Sequence, residues 1–115
     1  MKDCLSLEQS AELIRRGVCA ASASKSEVSY AYNPHTHERI AFARAIFTLA
    51  DILSLLPQIF EDYYLNISGS ALGWGIDYLS WHEKDPINVG SDDELIDALY
   101  SALLWCIDNN YLKLK

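Results

Sequence analysis

Ser91-Asp92-Asp93-Glu94-Leu95-Ile96-Asp97-Ala98-Leu99-Tyr100-Ser101-Ala102-Leu103-Leu104-Trp105-Cys106-Ile107-Asp108-Asn109 is the stretch on which the reading of this chain turns. At about 100° per residue, Leu95, Ile96, Leu99, Leu103, Cys106 and Ile107 cover one broad face, with Tyr100 and Ala102 beside them. Asp93, Asp97, Ser101 and Asp108 line the opposite side. The spacing predicts a helix from about Asp92 to Asn109. Its start carries the capping-box pattern, a hydroxyl at Ser91 and a carboxylate three positions on at Glu94, each able to satisfy a backbone N–H of the other. Asp92, Asp93 and Glu94 also suit the positive end of a helix dipole. One residue departs from the pattern: Leu104 falls in the middle of the acidic face, with Trp105 at its margin.

The same device is written twice more, at Ser6-Leu7-Glu8-Gln9 and at Thr48-Leu49-Ala50-Asp51. The first predicts a helix over Leu7 to Arg16, with Leu7, Ala11 and Ile14 on its apolar face and Gly17 as a left-handed C-cap. In the second, Asp51 is a shorter stand-in for the usual Glu or Gln. Leu49, Ile52, Leu53 and Leu56 then complete a helical stripe that Pro57 cannot continue. Three helices are therefore expected, with strands between them.

Val28, Tyr30 and Tyr32 alternate with Ser29, Ala31 and Asn33, the period-two pattern of a half-buried strand. Asn33-Pro34-His35-Thr36 reads as a turn. Residues 38–47 fit either a strand, through Ile40 and Phe42, or a helix, through their alanines. A returning strand is preferred because Thr48 opens a fresh cap. Tyr63, Leu65 and Ile67, then Trp74, Ile76 and Tyr78, predict a hairpin with a five-residue connection from Gly69 to Gly73. Residues 18–26 and 82–90 read as loops. The expectation is a single α+β domain over residues 1–115: an antiparallel sheet of three to four strands, with about three helices packed mainly on one face.

The chain has 115 residues, half of them apolar and 22% charged, an ordinary globular composition. Its net charge of −7 sits in the second half: residues 1–57 balance six acids with six bases, while residues 58–115 carry ten acids against three. Clustered Lys and Arg are what a phosphate-tracking surface needs, so no direct nucleic-acid partner is expected. The acidic half either keeps the protein soluble or meets a basic partner. Cys4, Cys19 and Cys106 form no C-x-x-C pair and an odd set, which fits reduced thiols. With no signal-like segment and no apolar run of membrane-spanning length, a cytoplasmic protein with no membrane partner is expected.

Candidate chemistry is sparse. His35 and His37, on an extended strand, would point the same way and could share a metal ion. A zinc site needs three or four ligands, and only His82 and the cysteines remain to complete one. Cys106 lies on an apolar helix face and reads as core filler, and nothing near Cys19 would lower its pKa. No triad or G-x-S-x-G pattern is present, and Gly69–Gly75 lacks the Lys-Ser/Thr of a phosphate loop. No enzyme activity and no cofactor are expected. Aromatics are the better lead. Tyr63-Tyr64 and Leu79 with Trp81 place large side chains on both faces of the predicted hairpin, while one helical layer covers a single face. Tyr64, Leu79 and Trp81, with Leu104 and Trp105, are therefore expected to face either a partner chain or a second small cluster under a loop.

Phe47-Thr48-Leu49-Ala50-Asp51-Ile52-Leu53-Ser54-Leu55-Leu56-Pro57, with Asp93 to Tyr100, Trp105 and the opening Leu5-Ser6-Leu7-Glu8-Gln9, resembles small uncharacterised proteins of gut Bacteroidetes, often found near prophage or mobile elements. The resemblance implies a bacterial or phage setting and brings no catalytic or binding residue with it. The function expected is a small protein-interaction module, binding another protein or itself. Two alternatives stand beside it: an acidic decoy of a nucleic-acid-binding protein through Asp93, Asp97 and Asp108, and a metal or small-molecule binder through His35 and His37.

Overall fold

A computed structural model describes residues 2–112 of the chain. It is an α+β structure in which three α-helices accompany two antiparallel sheets. In chain order the elements are α1 (Leu7–Arg15), a single 3-10 turn (Ala20–Ser22), β1 (Lys25–Asn33), β2 (Glu38–Ile46), α2 (Leu49–Leu55), β3 (Ile59–Phe60), β4 (Tyr63–Ser70), β5 (Gly73–Ser80), β6 (Ile87–Asp92) and α3 (Leu95–Asp108). Strands β3-β4-β5-β6 form one sheet in sequence order, and β1 with β2 forms a separate two-stranded hairpin.

Two of the three capping boxes are present. Ser6 Oγ accepts from Gln9 N at 3.1 Å and Gln9 Oε1 accepts from Ser6 N at 3.0 Å. Thr48 Oγ1 accepts from Asp51 N at 3.2 Å and Asp51 Oδ2 accepts from Thr48 N at 2.8 Å. Helix α1 ends as the glycine rule requires: Gly17 has φ 107°, and the N–H groups of Gly17 and Val18 return to the carbonyls of Ile14 and Leu13. Helix α3 closes in the same way on Asn110 (φ 62°), with Tyr111 N bonded to Cys106 O.

The third box does not form. Ser91 and Asp92 pair with Gly75 and Trp74 as the end of β6, so their backbone groups serve the sheet. The helix begins only at Leu95, with Glu94 as an N-cap whose side chain caps no helix N–H and instead accepts from Lys2 N at 3.2 Å. Asp92 Oδ1 accepts instead from Glu94 N at 3.1 Å and turns the chain from strand to helix. The first four residues of β6, Ile87 to Gly90, lie in the segment expected to be a loop; their Ile-Asn-Val-Gly alternation is broken by a bulge opposite Ile76 and Asp77. The connection between β4 and β5 is also shorter than the expected five residues, because Gly69 pairs with Trp74 and Ser70 with Gly73.

The core joins α1, α2, α3 and the larger sheet through Leu13, Phe47, Ile52, Ile76, Tyr78, Leu99 and Leu103, all with no exposed surface. Helix α1 corrects its expected stripe: Leu13 and Ser10 are buried, while Ala11 and Ile14 remain exposed. Ser10 can be buried because its hydroxyl accepts from Phe47 N at 3.2 Å. Tyr78 donates to Pro57 O at 2.7 Å and lies 3.5 Å from the Cys106 sulfur, and burial pushes its phenol pKa far up, so it stays a donor. Cys106 is core filler as expected.

The molecule is extended. Its radius of gyration is 17.0 Å and its axes measure 64 × 35 × 18 Å, against about 13 Å for a compact chain of this length. The β1–β2 hairpin, nine residues per strand, projects from the body and accounts for the length.

Candidate functional site

The hairpin is anchored at its root and bare along its length. At the root, Phe47 is buried and its carbonyl accepts from Leu5 N at 2.9 Å. Asp51, the N3 residue of α2, is the main tie: its carboxylate takes Thr48 N and Ser24 N, each at 2.8 Å, and the Ser24 hydroxyl. One buried carboxylate thus fastens the residue before β1 and the residue that opens α2. Burial alone would raise the Asp51 pKa; the hydrogen bonds from Ser24 and Thr48 outweigh it and hold the carboxyl below its usual range.

Beyond the root the ladder runs regularly from Lys25↔Ile46 to Asn33↔Glu38. Directly opposed residues share a face. One face therefore carries Val28, Tyr30 and Tyr32 over Ala41 and Ala43, with Arg39 4.7 Å above the Tyr30 ring. The other carries Ile40 and Phe42 beside Ala31 and Ser29, with Glu38 and Arg44 at the ends. Val28, Tyr30, Tyr32, Ile40 and Phe42 are each 44–60% exposed. The alternation is present but the strand is not half-buried: α1 lies beside β2 only near the root, at Ala43, Arg44 and Ala45, and nothing in the body covers Val28, Tyr30, Tyr32, Ile40 or Phe42. At the tip, Asn33 Oδ1 accepts from His35 N at 2.9 Å and Asn33 O accepts from His37 N at 2.8 Å.

That turn corrects the geometry assumed for a histidine pair. His37 has φ 57°, so His35 and His37 are not on an extended strand, and His37 Nδ1 lies 3.0 Å from the Tyr32 hydroxyl. Among the described residues, no three His, Cys, Asp or Glu side chains converge as metal ligands would.

The five aromatic and apolar residues singled out in the sequence separate into two places. Tyr64 and Leu79 are opposed across β4 and β5, and Trp81 stacks on Tyr64 at 4.9 Å between ring centroids. Trp81 is 56% exposed, and Ile59, opposite Tyr64 on β3, extends the same patch. Leu104 and Trp105 lie elsewhere. Both are half-buried and pack against the core, and Trp105 belongs to an aromatic cluster with Phe60, Tyr78 and Tyr111. The acidic face expected around Leu104 is not left open: Lys2 and Gln9 meet Asp97, Arg16 meets Asp108, and Leu104 itself packs against the core.

The acids of α3 are mostly engaged within the chain. Asp97 accepts from Lys2 Nζ and Gln9 Nε2, both at 2.9 Å, and Asp108 pairs with Arg16. Burial opposes the Asp97 charge, but the Gln9 and Lys2 bonds hold its pKa below the ordinary value. Asp93 is exposed at the helix start. Asp77 accepts from Asn88 Nδ2 at 3.0 Å, and Cys19 is exposed. Two open grooves, about 240 Å³ between α1 and β2 and about 260 Å³ beside the β4–β5 turn, fall short of the roughly 300–1,000 Å³ typical of small-molecule sites.

The feature that sequence reading missed is the hairpin as a free-standing arm. Its signal was present in Val28, Tyr30, Tyr32, Ile40 and Phe42, but alternation shows that a strand has an apolar side, not what lies against it. None of the helices is long and apolar enough to cross a membrane, among the described residues. No protein-family model, curated protein or solved structure matches the chain.

Proposed function

We propose that the chain is a non-enzymatic protein-interaction module, of the bacterial or phage origin its resemblance implies, with the β1–β2 arm as its recognition element. The observation that carries this reading is the exposure of Val28, Tyr30, Tyr32, Ile40 and Phe42 on two faces of a hairpin that the body does not cover. A lone two-stranded hairpin is marginal in water and gains stability when a further strand or layer joins it. Contiguous apolar surface of this kind marks contact sites on soluble proteins.

Charge favours a protein over a nucleic acid. The arm carries Lys25, Arg39 and Arg44 against Glu27 and Glu38, too few and too mixed to track phosphates. The acidic-decoy reading has less support, since Asp97 and Asp108 already hold cations of the same chain. Magnitudes say something about the mode of binding. Covering the exposed parts of five such side chains yields on the order of 5 kcal/mol, which is comparable with the entropic cost of association. Side-chain burial alone is therefore insufficient, and backbone pairing along a strand edge has to contribute.

The test replaces Val28, Tyr30, Tyr32, Ile40 and Phe42 together by Thr, which keeps strand propensity. The expected result is a melting temperature within about 2 °C of the parent, because these side chains stabilise nothing in the body, together with loss of the partner chain retained by the parent in affinity capture and sizing. Equal retention by both proteins, or unfolding of the variant, would contradict the assignment.

A further inference from the structure

On the outer edge of β2, Glu38-Arg39-Ile40-Ala41-Phe42-Ala43-Arg44, residues on one face are complementary about Ala41: an acid and a base at the ends, and two large apolar side chains inside them. All seven residues are exposed, and their backbone groups make no hydrogen bond outside the β1 ladder. Two copies of a strand can pair edge to edge and antiparallel about a two-fold axis normal to the sheet, which keeps each face on its own side. With the axis at Ala41, residue 38 meets 44 of the second copy, 39 meets 43, and 40 meets 42.

This register opposes unlike charges and like shapes. Glu38 lies across from Arg44 of the other copy, twice by symmetry, and Ile40 lies across from Phe42, all on one face. On the other face Arg39 meets Ala43 and Ala41 meets itself, so no bulky pair collides at the axis. Moving the axis by one residue in either direction leaves Glu38 opposite Ile46 or Phe42 and Arg44 with no carboxylate from the other copy, only Glu27 of its own ladder. Whichever parity Ala41 has in the ladder, the outward N–H and C=O groups of both edges are satisfied. The product is a four-stranded sheet, above the two strands that are marginal alone.

Resting on the reading of the arm as a recognition element, we propose that its partner is a second copy of this chain, docked β2 to β2 about Ala41 with reciprocal Glu38–Arg44 pairs. The proposal is tested on the full chain by sedimentation over a wide concentration range. The parent is expected to dimerise reversibly. Glu38→Arg alone and Arg44→Glu alone each place like charges in both cross-strand pairs and are expected to weaken the dimer by about tenfold. The double exchange Glu38→Arg with Arg44→Glu restores the pairs and is expected to recover the parent affinity. In a Cys19→Ser background, Ala41→Cys is expected to give a disulfide-linked dimer under mild oxidant.

A parent that is monomeric at every concentration overturns the self-pairing, while the Thr-substituted arm still decides separately whether the arm binds another protein. A dimer indifferent to the charge exchanges overturns it also. If that dimer is abolished by Trp81→Ser instead, the self-contact belongs to the Tyr64–Trp81 face and the self-pairing of the arm fails, while the Thr-substituted arm still decides whether the arm binds another protein.

Discussion

Gly90→Ala is expected to destabilise the fold by about 3 kcal/mol, the upper part of the range for overpacked sites. A Cβ at this position would lie 2.2 Å from Ala98 O and 3.2 Å from Ala102 N. Both are backbone atoms of α3, so no rotamer change can make room. The helix has to lift from β6, and with it the buried side chains of Ile96, Leu99, Leu103 and Cys106. A loss of this size corresponds to a fall of roughly 10 °C or more in melting temperature. Gly75→Ala is the internal control. Its Cβ would meet Ser68 Oγ at 3.5 Å and Asp77 Oδ2 at 3.8 Å, ordinary contacts, so a change below about 1 kcal/mol is expected there. Chemical denaturation of both variants checks the pair. Similar losses at the two positions would show that α3 does not rest on Gly90.

Asp51→Ala is the second large effect. It removes the acceptor of Thr48 N, Ser24 N and the Ser24 hydroxyl together. Two amides at the arm's root lose their partner, and the α2 cap loses half of its box. A cost of about 2–3 kcal/mol is expected from these losses. Asp51→Asn keeps an oxygen for the two amides and is expected to cost less at neutral pH. The two substitutions also separate the charge from the geometry. The Asp51 carboxyl is held below its usual pKa in the folded state, so the unfolded chain binds more protons in the acid range. Its contribution is complete above the unfolded value of about 3.9 and is lost as pH falls through the lower folded value. Glu12, bonded by Arg15 and Arg16 and held down to about 2, loses its contribution in the same direction. The parent should therefore lose stability more steeply than Asp51→Asn between about pH 4 and pH 2. Parallel profiles would mean that Asp51 is not the charged tie described here.

Local signals in the sequence were legible where the interaction they describe is itself local. The boxes at Ser6 and Thr48, and the glycine at position 17, satisfy backbone groups within one turn, so nothing distant overrides them. Ser91 carried the same local signal and lost it to a distant partner: β5 recruits Ser91 and Asp92 into the sheet, and ladder bonds displace the cap. Helix α1 shows a second form of override. Its apolar stripe at Leu7, Ala11 and Ile14 faces the groove beside β2, while Ser10 enters the core because Phe47 N supplies its hydrogen bond. Leu104 looked stranded among acids because periodicity counts only the helix itself. The neighbours that half-bury it come from elsewhere in the chain. Of the candidate residues, Tyr64, Leu79 and Trp81 share one patch, a juxtaposition that depends on the register of β4 against β5 and that alternation alone does not specify. The arm was legible as strands and illegible as an arm, since no sequence pattern records the absence of a covering layer.

The central claim is that the arm is held by its root and completed by a partner, not by the body. Amide hydrogen exchange of residues 25–46, read against β5 and α3 in the same sample, tests it most directly. At high dilution the arm amides are expected to exchange far faster than those of Ile76 or Leu99, and to gain protection as the concentration of the chain is raised. Protection in β5 and α3 is expected to stay constant across the series. Arm amides as slow as those of α3 at the lowest concentration would contradict the account, because the body would then be supporting the hairpin by itself.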